Sequence, residues 1–166
     1  MKRLLCAIAI AVSINPISAN SDEALMSFKM MTPETALKLA QAALADCRKR
    51  GFQTSVAVVD RFGGVQVLLR DRLAGNYTVE VAQRKAWTAA AFRMDTLTLA
   101  NATAFDKVAS AGIRQVANAL MVGGGVPIEA AGSLVGAVAV SGAAGGKADD
   151  DCARAGIAAV ADDLAF

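Results

Sequence analysis

The segment that most constrains the fold is Gly123-Gly124-Gly125-Val126-Pro127-Ile128, with the apolar run Leu134-Val135-Gly136-Ala137-Val138-Ala139-Val140 just beyond it. Three successive glycines open backbone conformations that side chains forbid, and their missing Cβ atoms allow close approach. Pro127 then fixes φ and removes a hydrogen-bond donor. The apolar run reads as a buried strand, Leu134–Ser141, that stops at Gly142. The segment must therefore pack closely against another strand, a partner subunit or a ligand.

The rest of the chain reads as helices around hairpins. Thr32-Pro33-Glu34 predicts a helix start: a hydroxyl cap, a proline in the first turn and a carboxylate at the positive end of the dipole. Ala36, Leu37, Ala40, Ala43, Leu44 and Cys47 then recur at helical spacing, and Arg48-Lys49-Arg50 before Gly51 marks the end. Residues 55–60 and 65–70 predict a hairpin about Phe62-Gly63-Gly64. Thr78 to Phe92 predicts a helix, and Asp95 caps a shorter one. Phe105–Gly112 reads as a loop, Val116–Val122 as a strand, and Asp149-Asp150-Asp151 as caps of a final helix running to Leu164. Hairpins among helices give an α+β class with an antiparallel sheet.

Residues 1–19 read as a signal peptide. Lys2 and Arg3 precede the apolar Leu4–Val12, and Ile17-Ser18-Ala19 offers a small-residue cleavage point. The apolar stretch is too short to span a bilayer. The expected location is periplasmic or secreted, with one domain over residues 20–166 after an arm at Asn20–Met31. Without Lys2 and Arg3 the formal charge falls from +2 to 0. Nucleic acid is therefore a poor partner, and no membrane span is expected in the mature chain. Cys47 and Cys152 remain after cleavage; export makes them a disulfide candidate, and two small buried hydrophobes is the equal alternative.

The chain has no histidine. That excludes Ser-His-Asp and Cys-His catalysis, histidine-based zinc and histidine-ligated haem within the chain. No metal site is expected. The glycine triplet is neither a phosphate-binding loop, lacking Gly-Lys-Ser/Thr, nor a dinucleotide fingerprint, since Val126-Pro127 falls where a helix should start. The polar candidates lie elsewhere. Arg70 or Arg72 can pair with a carboxylate such as a haem propionate, or form a structural ion pair with Asp71 or Asp60. Tyr77, the sole tyrosine, is either a phenolate ligand for ferric haem or an ordinary helix-start aromatic. Lys85, in an otherwise apolar helix, is an anion contact or desolvated base, or else a snorkelling surface lysine.

Taken together, Val56-Ala57-Val58-Val59-Asp60 with Gly63-Gly64, Arg70-Asp71, Arg84-Lys85-Ala86-Trp87-Thr88-Ala89, the glycine-rich turn, Val138-Ala139-Val140-Ser141-Gly142 and Asp149–Gly156 resemble the GlcG/HbpS (DUF336) family, in order and over nearly the whole mature chain. The resemblance implies a profilin-like or PAS-like fold with a five-stranded antiparallel sheet, and homo-oligomers. It also implies an exported protein that binds haem or a similar planar molecule, some members being haem-degrading. Candidate ligand-binding residues are Arg70, Arg72, Tyr77, Thr78, Lys85, Gly124, Gly125 and Ser141, with Lys85 and Asp71 as catalytic candidates. Some relatives offer a histidine near Asn76 or Tyr77. Here iron would need Tyr77, a hydroxyl such as Thr78, a sulfur, or a neighbouring subunit. The second reading is an enzyme, or an accessory subunit of a periplasmic oxidoreductase, acting on a small organic metabolite.

Overall fold

The structure, a computed structural model, describes residues 25–165. The leader assigned to residues 1–19 lies outside the described residues. Helix α1 spans Pro33–Lys49 and begins as expected: the Thr32 hydroxyl accepts a hydrogen bond from the Thr35 amide at 3.3 Å, with Pro33 in the first turn. Its buried stripe is Ala36, Leu39, Ala40, Ala43, Leu44 and Cys47. Leu39 takes the place expected of Leu37, which is exposed.

Strands β1 (Ser55–Asp60) and β2 (Val65–Arg70) form the predicted hairpin. Asp60 pins its turn, one carboxylate oxygen accepting from the amides of Phe62 and Gly64. Helix α2 covers Tyr77–Phe92 and α3 Thr96–Ala102. The expected loop at 105–112 contains a one-turn helix, α4 (Val108–Ala111), followed by a 3₁₀ turn at Gly112–Gln115. Strands β3 (Gly125–Ala130) and β4 (Ser133–Ser141) follow, then α5 (Gly146–Ala158) and a 3₁₀ turn at Asp162–Leu164.

The sheet is fully antiparallel in the order β2-β1-β4-β3. Among the described residues it has four strands, not the five that the resemblance implied. The expected strand at Val116–Val122 is also absent. Asn118 takes a left-handed φ of 67°, which breaks an extended run. The segment is held on α2 instead: the Leu120 amide donates to the Thr88 hydroxyl and the Arg84 guanidinium to the Ala119 carbonyl. The strand forms at Gly125–Ala130, where Pro127 is tolerated because β3 lies at the sheet edge.

The sheet is covered on both faces. Helices α1 and α5 pack over Val56, Val58, Val126, Ile128, Val138 and Val140. Helix α2 lays Ala82, Ala86 and Ala89 on Ala57, Val59, Ala137 and Ala139, so alanine meets alanine at the second face. Helices α1 and α5 are joined by a disulfide between Cys47 and Cys152, with Cα atoms 5.5 Å apart. They also approach through Gly156, where a Cβ would lie 2.8 Å from the Ala43 Cβ and 2.9 Å from the Leu39 carbonyl.

Candidate functional site

The sheet's α2 face ends in polar residues, and two clusters form there. The first is built on Lys85. Alternation along β1 and β4 turns Ala57 and Ala139 toward α2, and the same register sets Ser55 opposite Ser141 at that end. Lys85 reaches past the alanines, 1% exposed, and donates to the Asp149 carboxylate at 2.8 Å and to the Val140 carbonyl at 3.1 Å. Asp149 sits in the first turn of α5, and its second oxygen accepts from the Ala143 amide at 2.9 Å. Burial pushes its carboxyl above the ordinary aspartate range, against the opposing pull of Lys85 and of the Ala143 and Gly142 amides.

The glycine triplet closes over this ion pair. Gly124 has a φ of 116°, and a Cβ there would lie 2.6 Å from the Asp149 Cβ, 2.8 Å from the Val140 carbonyl oxygen and 3.0 Å from the Lys85 Nζ. A Cβ on Gly125 would lie 2.6 Å from the Lys85 carbonyl oxygen, and the Gly125 amide donates to the Thr96 hydroxyl at 2.8 Å. The close approach demanded by the glycines is thus to the ion pair and to the backbones of α2 and α5. Lys85, Gly124 and Gly125 come together, while Ser141, buried at the end of β4, is paired with Ser55. Two of the Lys85 donors are spent on acceptors inside the protein, so the group works as a clip between α2, β4 and α5.

The second cluster lies where β2 leads into α2. Asp71, 1% exposed, receives a two-point contact from Arg48, Nε to one oxygen at 2.7 Å and Nη2 to the other at 3.0 Å. The Arg48 hydrogen bond holds its carboxyl below the ordinary range, helped by the Arg72 amide. The Arg70 guanidinium donates to the Ala74 carbonyl. Thr78 is buried; its hydroxyl donates to the Gly75 carbonyl at 2.6 Å, so the Ser55 hydroxyl is the donor in the 2.7 Å bond between the two. Outside these bonds stand Arg72, exposed, and Tyr77, 69% exposed, with Leu73 between them in sequence, 77% exposed. The Arg72 guanidinium makes no hydrogen bond among the described residues.

Sequence reasoning missed Arg48, Thr96 and Asp149. In the sequence Arg48 reads as a charge complementing the α1 dipole and Asp149 as a cap. Helix α5 begins at Gly146, which places Asp149 inside the first turn. The only signal was that three successive aspartates cannot all cap one helix. Among the described residues, no group of three or more carboxylate, thiol or imidazole side chains is gathered as a metal site, and no helix is long and apolar enough to cross a membrane.

The sequence model of a family described as haem-degrading protein HbpS-like matches residues 31–158. The crystal structure of a double mutant of HbpS from Streptomyces reticuli is similar over 89% of this chain and 97% of its own, at 35% identity and a TM-score of 0.77. A crystal structure of a PduOC–haem complex is similar over 78% of this chain and 94% of its own, at 26% identity and a TM-score of 0.72. At 22% identity, Klebsiella pneumoniae ORFY shares the fold over 82% of this chain and 94% of its own, with a TM-score of 0.78. A comparison with curated protein sequences returns no significant match. The match of the family model over most of the described residues settles the affiliation: the chain belongs to the HbpS-like family.

Proposed function

We propose that this protein is an exported binding protein whose ligand is haem or a similar planar molecule. The observation that carries the reading is the likeness, over most of both chains, to a relative crystallised as a haem complex. The donor set at the β2–α2 junction fits such a ligand. Tyr77 offers a phenol oxygen for iron, Leu73 an apolar contact and Arg72 a planar guanidinium for a propionate. Bound haem would supply ligand and redox chemistry at its iron. The protein's part is to hold the ring edge and its carboxylates. Arg70 takes a supporting role, since it braces the loop through Ala74.

The Cys47–Cys152 disulfide supports export, because such bonds persist in oxidising compartments. The sheet order and the helices on both faces support a profilin-like or PAS-like classification. Homo-oligomers are part of the same proposal, the exposed Phe105 and Val108 being suited to burial between subunits. The second reading, an enzyme or accessory subunit of a periplasmic oxidoreductase, would rest on Lys85. That lysine is enclosed and bonded to two acceptors, which favours the binding reading. Tyr77→Phe and Arg72→Ala test the site by ferric haem titration: each should weaken binding about tenfold, or roughly 1.4 kcal/mol. Affinity unchanged in both would remove haem from this surface.

A further inference from the structure

A groove of about 730 Å³ lies away from both clusters, between the N-terminal arm, the β1–β2 turn, the C-terminal end of α2 and the β3–β4 turn. Phe28, Lys29, Arg61, Phe62, Arg93 and Ala131 are among its lining residues, and none of the described lining residues is acidic. Three cations thus converge from three separate parts of the chain, although the formal charges beyond Lys2 and Arg3 sum to zero. The groove is built rather than incidental. The Arg61 guanidinium lies 3.9 Å above the Phe28 ring and 5.7 Å from that of Phe62, and the two rings meet edge to face at 5.8 Å. Stacking holds the guanidinium face and leaves its N–H edges to donate. Among the described residues Arg61 and Arg93 make no side-chain hydrogen bond or ion pair.

The groove also concentrates backbone strain. Three described non-glycine residues have positive φ, and two of them line it: Arg93 at 50°, ending α2 where glycine is usual, and Ala131 at 48°, in the two-residue β3–β4 turn. Residues held in such conformations cluster at ligand sites.

We propose that this groove binds a planar aromatic carboxylate, its ring against Phe28 and Phe62 and its acid groups on Arg61 and Arg93. The site is separate from the haem surface at Arg72 and Tyr77 and goes beyond the haem reading. The probe is naphthalene-2,6-dicarboxylate, titrated calorimetrically into the whole protein, with the neutral naphthalene-2,6-dimethanol as control. The variants are Arg61→Gln and Arg93→Asn, the latter because asparagine tolerates the left-handed backbone. Expected are saturable binding of the diacid, at least tenfold weaker binding of the neutral analogue, and about tenfold loss in each variant with the ferric haem titration unmoved. Arg61→Lys should keep only part of the affinity, since it keeps the charge but loses the planar fork. Absence of diacid binding, or affinities within twofold of the parent in both arginine variants, overturns the proposal. So does a parallel loss of haem binding, which would make the groove the haem site itself. Failure of the haem reading shows differently, as a flat haem titration in the parent.

Discussion

Replacing Lys85 by methionine tests whether the buried ion pair is a clip. The substitution keeps the apolar stem and leaves Asp149 with backbone amides but no counter-charge. Removing one member of a buried pair costs about 3–5 kcal/mol, a large part of the roughly 5–15 kcal/mol a domain possesses. The loss must depend on pH, and its sign follows from Asp149. Burial already raises that carboxyl, and without Lys85 it rises further. A folded-state pKa above the unfolded value of about 3.9 gives a penalty absent below that value. The penalty grows, by about 1.4 kcal/mol per unit, as pH climbs through the interval up to the folded pKa. Urea unfolding followed by the single tryptophan, Trp87, reads this directly. With a slope of about 2 kcal/mol/M, the midpoint of Lys85→Met should fall by roughly 1.5–2.5 M at pH 7.5 and much less at pH 5, relative to the parent at each pH. Adding Asp149→Asn should restore much of the loss at pH 7.5. A midpoint matching the parent at pH 7.5, or an equal loss at both pH values, refutes the reasoning.

Three further outcomes are expected. Reducing the Cys47–Cys152 bond opens a loop with a sequence separation of 105; the chain-entropy estimate for such a loop is about 4.7 kcal/mol, so Cys47→Ala/Cys152→Ala should unfold at markedly lower urea, and an unchanged midpoint contradicts this. Gly124→Ala forces a Cβ to within 2.6 Å of the Asp149 Cβ at a φ of 116° and should cost about 1–3 kcal/mol, whereas alanine at the open Gly112 should be nearly neutral; equal effects at the two positions argue against the packing described. Asp71→Asn removes a carboxylate whose pKa Arg48 lowers, so the stability gap to the parent should be full above about pH 4 and shrink on acidification; thermal unfolding from pH 2.5 to 6 shows it, and a gap independent of pH is the contrary result.

The legible parts of this fold were those with local causes. Thr32-Pro33 specified the α1 start through a hydroxyl cap and a fixed φ, and Gly63-Gly64 between alternating apolar residues specified the first hairpin. The third strand was misplaced because Val116–Val122 and Val126–Ala130 are both short and apolar. The choice between them is made by Thr88 and Arg84 on α2, which are distant in sequence. The glycine triplet announced close approach without saying to what. Its partners, Lys85, Asp149 and Thr96, converge only through tertiary folding. Asp149 looked like a cap because a carboxylate near a helix start has that role by default. The arginine pair was ambiguous for a similar reason. Arg70 and Arg72 flank Asp71, but the ion pair to Asp71 comes from Arg48 in α1.

Binding of haem or a similar planar ligand can be read by titrating the purified protein with ferric haem and recording the absorption spectrum. A saturable, stoichiometric shift of the Soret band to a position typical of oxygen ligation is expected, lost or moved in Tyr77→Phe. Broadening without saturation, or no shift at all, would overturn the binding reading.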